Sequence, residues 1–379
     1  MHELLEDRGE ASIGQKTAPS NSILRAYMPE LDTVRGLAVL LVLFYHGIAP
    51  QIGGEISHLG ATLLFIAQYG WTGVNLFFVL SGFLITGILV ENRERSDYFS
   101  RFYIRRALRI LPALYAALTV LYLAGWISLR FMGAAMLFFA NGAPLLGIPM
   151  QYGPLWSLAV EEHFYMFWPA AVRKFPHRSL VVLLAVVCFT SPIARLIRFV
   201  VYGESLNSLY TWFNLDGLAF GAMLALWCRR SWFRRSQLEW FSLCSLVLGL
   251  ITFARVQAYP AASAALQISA CNVASAGFLA GVLLLGTSRW KFLVDRPILK
   301  LLGYVSYGLY LIHVLMFRVT ELLFSRLWPI LSSLGSTRVM LIRFLLGSCL
   351  ATLVAYLSRR SLEEFFLRMG FSSRNRRAR

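Results

Sequence analysis

Acidic residues are scarce in this 379-residue sequence, 19 Asp and Glu against 36 Lys and Arg, and charged residues of both signs make up only 15% of it. That is too little to cover a globule whose residues are 58% hydrophobic and 14% aromatic, so an ordinary soluble fold is excluded. Cysteine is also sparse. Cys188, Cys228, Cys244, Cys271 and Cys349 lie in or beside apolar stretches, are odd in number and lack paired metal-ligand spacing. Packing is their expected role, and no metal is expected. A continuous basic groove is missing too: the net charge of +17 is dispersed over several short segments, so no nucleic-acid partner is expected. Residues 1–24 lack the basic-then-apolar pattern of a cleavable signal and read as a cytosolic tail. No internal repeat, low-complexity linker or appended soluble domain is visible, which leaves one membrane domain.

What is present in abundance is apolar runs of membrane-spanning length, about 20 residues for a hydrocarbon core ~30 Å thick. Ten are expected: 30–49, 72–90, 105–124, 154–172, 179–200, 209–228, 238–256, 266–286, 301–324 and 339–358. An eleventh stretch, 129–148, is interrupted by Gly142, Pro144, Gly147 and Pro149 and reads as a re-entrant or interfacial segment. The fold expected is therefore an all-α integral membrane bundle of about ten transmembrane helices. A cytosolic tail (1–29), a membrane domain (30–358) and a basic cytosolic tail (359–379) make up the chain.

Lys and Arg in short loops favour the cytoplasmic side and orient this bundle. With both termini inside, the inner segments hold Arg93, Arg95 and Arg101, then Arg173, Lys174 and Arg178, then Arg229, Arg230, Arg234 and Arg235, then Arg289, Lys291, Arg296 and Lys300. The tail adds seven arginines from Arg359 to Arg379. On the opposite side, 50–71 and 257–265 hold no Lys or Arg, and 125–153 holds only Arg130. The basic excess thus serves orientation and attraction to anionic lipid.

An ionisable side chain inside a membrane helix costs about 3 kcal/mol or more unless it is paired or faces a cavity, so such residues point to function. In the first span, Arg35 and His46 are eleven residues apart, which puts them on nearly one helix face, ~16 Å apart along the axis. They read as a functional face, or as a snorkelling arginine and a helix-end histidine. In the fourth span, Glu161, Glu162 and His163 enter from the outer end and reach about the depth of His46. A carboxylate beside an imidazole fixes its tautomer and raises its basicity, as general-base catalysis on a sugar hydroxyl requires. The alternative is a buried Glu–Arg ion pair.

At the start of the third span, Arg106 and Arg109 share a helix face and Arg105 joins a neighbouring stripe. They suit phosphate contacts, or they anchor the topology. In the ninth span, Ser306, Tyr307, Tyr310 and His313 are candidates to line the same cavity, with an interhelical hydrogen bond the alternative for His313. Asp216, in the sixth span, is expected to pair with an arginine, its purpose open. His2, His58 and His177 carry no specific signal.

These residues occur in stretches that resemble the acyltransferase family 3 membrane proteins, which O-acylate glycans and other hydroxylated acceptors. The stretches are Asp32-Thr33-Val34-Arg35-Gly36 with His46, Gly73 to Ile85, Arg105 to Pro112, Trp156-Ser157-Leu158-Ala159-Val160-Glu161-Glu162, and Ser306 to His313. They come in the family's order between Leu31 and Glu363. The resemblance implies a ten-helix enzyme of the bacterial inner membrane taking acetyl or other acyl groups from cytosolic acyl-CoA. His46 matches the histidine regarded as catalytic, eleven residues after Arg35, and Arg106 and Arg109 match an Arg-x-x-Arg motif associated with the donor. Asn75 stands where the family usually has Asp, and His163 where it usually has Gln. The family's optional extracytoplasmic hydrolase-like domain is expected to be absent, since the chain ends soon after the tenth span.

The mechanism expected has Arg35, Arg105, Arg106 and Arg109 at the donor, with the pantetheine arm threading toward His46. His46, oriented by Glu161 or Glu162, deprotonates an acceptor hydroxyl or is transiently acylated. Asn75, Ser81, Trp156, Ser157, Tyr307 and His313 are the candidate acceptor-binding residues. The acceptor is an envelope glycan or lipid-linked saccharide; the competing readings are a small-molecule hydroxyl, or a transporter or flippase whose polar residues line a path.

Overall fold

The computed structural model describes residues 23–25, 27–48, 57–203, 209–331, 334–366 and 368. The N-terminal residues with His2, and the last arginines of the basic tail, lie outside the described residues. Regular structure among the described residues is helical throughout. In chain order the α-helices are α1 (Pro29–Gly47), α2 (His58–Ala67), α3 (Thr72–Glu91), α4 (Tyr98–Leu123), α5 (Leu129–Met136), α6 (Leu155–Lys174), α7 (His177–Tyr202), α8 (Leu215–Trp227), α9 (Arg235–Val256), α10 (Pro260–Gly286), α11 (Pro297–Leu331) and α12 (Ser336–Ser358).

Seven helical runs among these are long and apolar enough to cross a membrane: His58–Glu91, Tyr98–Leu123, His177–Tyr202, Arg235–Val256, Pro260–Gly286, Pro297–Leu327 and Ser336–Phe366. The other three of the ten expected spans correspond to α1, α6 and α8. Two of them are too polar, with Glu30, Asp32 and Arg35 in α1 and Glu161, Glu162 and His163 in α6. At 13 residues, α8 is too short. α9 is apolar all round, and only 11% of its most apolar window is buried against protein. Its bare Trp240, Leu248 and Ile251 are tolerable only in lipid, so the chain is an integral membrane protein.

Local chemistry sets several boundaries. Pro29 opens α1, with Glu30 and Asp32 in its first turn, where the helix dipole favours negative charge. Ser57 caps α2 and Ser128 caps α5, each accepting from a backbone N–H three residues on. The stretch 129–148 is broken, as its Gly and Pro content implies: α5 ends at Met136, Phe138 is left-handed (φ 56°), and a 3-10 turn spans Ala140–Leu146. At the other end, α12 passes into a π-helical turn, Arg359–Glu363, that packs against α4. There Arg359 bonds Glu363 at 2.5 Å.

Two helix pairs hold the bundle by close backbone approach. In α1 and α11, a Cβ on Gly36 would strike the carbonyl of Leu299, and one on Gly303 would strike that of Asp32. In α3 and α8, Gly82 meets Leu218 and Gly221 meets Val79 in the same way. Small residues at such crossings are what membrane helices use to gain packing contact, since lipid supplies no hydrophobic drive between them. Around these pairs, α4 and α6 lean on α3 and α11 and leave a cavity among α1, α3, α4, α6 and α11.

Candidate active site

The cavity of about 170 Å³ is lined on α3 from Val74 to Ile88, fourteen residues or ~21 Å of helix. Cross-bonds fix the level of each neighbour. Trp168 donates to Thr86 at 2.8 Å, Ser81 donates to Glu161 at 2.6 Å, and the Tyr103 hydroxyl reaches the Met166 carbonyl at 2.8 Å. Helices α4 and α6 therefore run antiparallel, and Arg106 comes level with Glu162 and bonds it at 3.0 Å. Its guanidinium also lies 3.1 Å from the centre of the Tyr165 ring.

Three arginines line this cavity, and they are not equivalent. Arg35 bonds Asp32 at 2.7 Å, and Arg106 is neutralised by Glu162. Arg109 lines the cavity with no hydrogen-bond or ion-pair partner among the described residues. Arg105 does not line it: on α4 the lining residues are Arg106, Arg109 and Ile110.

Also on the cavity wall, the hydroxyls of Ser157 and Tyr310 lie 2.5 Å apart. The Tyr310 ring packs edge-on against Phe77, with centroids 6.0 Å apart. Beyond Tyr310 stands a pair of histidines that do not line the cavity: His313, fully buried, and His46, exposed, with Nε2 of His313 3.2 Å from Nδ1 of His46. Gly47 makes this meeting possible, because a Cβ there would run into the rings of Phe317 and Phe344.

Residues 28–360 match the family model of the acyltransferase domain known as acyltransferase family 3. The chain belongs to this acyltransferase family. Among individual relatives, it is 33% identical over 171 residues to the peptidoglycan O-acetyltransferase OatA of Listeria monocytogenes, covering 40% of this chain and 25% of that one. Over 325 residues it is 28% identical to YrhL of Bacillus subtilis, whose name gives it provisionally as a peptidoglycan O-acetyltransferase, covering 76% and 48%. The O-acetyltransferase OatA of Staphylococcus aureus is 27% identical over 222 residues, 52% and 34%. The acyltransferase chain thus spans at most about half the length of these relatives. No solved structure matches it.

Several expected placements are corrected. His46 is not oriented by Glu161 or Glu162, because Glu161 bonds Ser81, Glu162 bonds Arg106, and His46 faces Val42 and His313. Helix α4 begins at Tyr98, seven residues before the expected span start at 105, and its Arg106 meets Glu162. Asn75 is buried away from the cavity and donates to Asn272 at 2.8 Å. Trp156 packs edge-on against Phe78 and does not line the cavity either. His163 points to the other side of α6, its Nδ1 2.6 Å from the Thr211 hydroxyl, beside a separate apolar cavity of about 590 Å³.

Ser81, Ser157 and Tyr307 do line the cavity with the arginines, and Tyr307 donates to the Ile110 carbonyl at 2.8 Å. Ser306 and Tyr310 line it as expected, while Tyr165, which had no expected role, was legible as the residue four on from Glu161, on its helix face. Among the described residues, no group of three or more His, Cys, Asp or Glu side chains converges as metal ligands would.

Proposed function

We propose that this acyltransferase moves an acyl group, an acetyl in the simplest case, from acyl-CoA entering from the cytosol to a hydroxyl of an envelope glycan. The observation that carries this is Arg109, a cavity-lining cation with no partner of its own beside two arginines that already have one. An unpaired guanidinium in a membrane cavity calls for an anion, and the phosphates of coenzyme A supply it. A cavity of about 170 Å³ is smaller than the roughly 300–1,000 Å³ of whole-ligand pockets. It takes a slender pantetheine arm and leaves the nucleotide at the arginine end. The names of the relatives, which specify O-acetyl transfer and in two cases peptidoglycan, support the reaction type and the glycan acceptor.

In this reading the arm passes Tyr310 when its bond to Ser157 opens, and the thioester meets His46. His46 takes the proton from the acceptor hydroxyl, and the oxygen attacks the thioester carbon. The new C–O bond forms as the C–S bond breaks, and the leaving thiolate recovers the proton from the imidazolium. The test is isotope transfer from labelled acetyl-CoA into surface polysaccharide, for wild type, His46→Ala and Arg109→Ala. Label should reach the glycan only with His46 intact, and Arg109→Ala should raise KM for the donor at least tenfold with little change in kcat. Full transfer by both variants would remove the proposed site; movement of an unmodified solute with no label in glycan would favour a transporter.

A further inference from the structure

His313, on α11, is fully buried and does not itself line the cavity, and its two ring nitrogens are both engaged. Nδ1 lies 2.7 Å from the backbone carbonyl of Tyr310. A carbonyl only accepts, so this nitrogen carries the proton. No carboxylate contacts the ring among the described residues, and a lone imidazolium enclosed at this depth would be costly, so the ring is neutral. Its Nε2 is then a bare acceptor, and it faces Nδ1 of His46 at 3.2 Å.

Nδ1 of His46 thus has two neighbours, the His313 Nε2 and the Val42 carbonyl at 3.1 Å, and both accept. It must be the protonated nitrogen. In a neutral ring that leaves the His46 Nε2 with its lone pair exposed, because the bond made at one imidazole nitrogen settles the state of the other. The rings lie 64° apart with centroids 4.8 Å from each other, so His313 also holds the plane of His46.

We infer that His313 is a positioning residue: by accepting from Nδ1 of His46, it fixes the tautomer in which Nε2 is the base toward the acceptor hydroxyl. This rests on the reading of His46 as that base. It also takes over the orienting part first expected of Glu161 or Glu162, with an imidazole in place of a carboxylate.

Glutamine and asparagine separate this role from a structural one, since a Gln side chain places its terminal oxygen near the position of Nε2, and Asn places its amide near Nδ1. With acyl transfer by the full-length protein in membranes as the readout, His313→Leu should lower kcat by roughly 10²-fold with the KM for acetyl-CoA unchanged. His313→Gln should recover most of that loss, and His313→Asn should not. Recovery by Asn alone, or full activity in all three, would overturn the inference. Should all three variants fail to insert, ¹⁵N chemical shifts of His46 in the wild-type protein in lipid decide it: a protonated Nδ1 supports the inference, and a protonated Nε2 ends it. His46→Ala is run alongside. Activity surviving there would sink the reading of His46 as base, an outcome distinct from any given by the His313 series.

Discussion

Arg195 and Asp216 bond at 3.0 Å with side-chain exposures of 2% and 0%, and Arg195 also reaches the carbonyls of Ala265 and Phe213 and, at 2.5 Å, the Ser269 hydroxyl. Every part of this network is satisfied within the protein, which marks it as structural. Asp216→Ala strands an enclosed guanidinium and should cost about 3–5 kcal/mol. Thermal unfolding in detergent measures it, and acyl transfer per folded molecule should be unchanged. That Asp216 would have an arginine was legible in the sequence, because a carboxylate at that depth needs one. Which arginine was not legible, since Arg195 reaches it from α7 only through the packing of α7 on α8. Glu162 shows the same limit. Its two readings, partner of an imidazole or of an arginine, differ by how far α4 slides along α6, a register that no local pattern in either helix encodes.

The crossing of α1 and α11 brings His46 to His313, and its two glycine contacts set the distance between the helices. Gly303→Leu drives a side chain into the Asp32 carbonyl and should cost at least about 1–3 kcal/mol, the usual range for overpacking. Transfer should fall with it even where inserted protein survives, because the histidines separate; parallel assays of unfolding and kcat check both. Most helices were legible from apolar length alone, and the break at 129–148 followed from its Gly and Pro residues. The left-handed Phe138 did not, since phenylalanine carries no local preference for that conformation. Of the three expected spans that escape a test of length and apolarity, α8 is too short, and α1 and α6 escape because they carry the site's charges.

Orientation is a property of the whole molecule, and the loop charges predict one with both termini inside. In a background without native cysteines, Ser288→Cys should react with a membrane-impermeant thiol reagent only after cells are permeabilised, and Gln257→Cys should react in intact cells. The reverse pattern would place the arginine end of the cavity outside and separate it from cytosolic acyl-CoA. The contact of Ser157 with Tyr310 then bears on the economy of the cell. A bore passing water from one face to the other would discharge the proton gradient each time substrate was absent, and in the proposed reading, where the arm passes Tyr310, this pair of hydroxyls is what closes the way. Tyr310→Ala should therefore depolarise energised vesicles that hold the protein, as read by a voltage-sensitive dye, even with no acyl donor present.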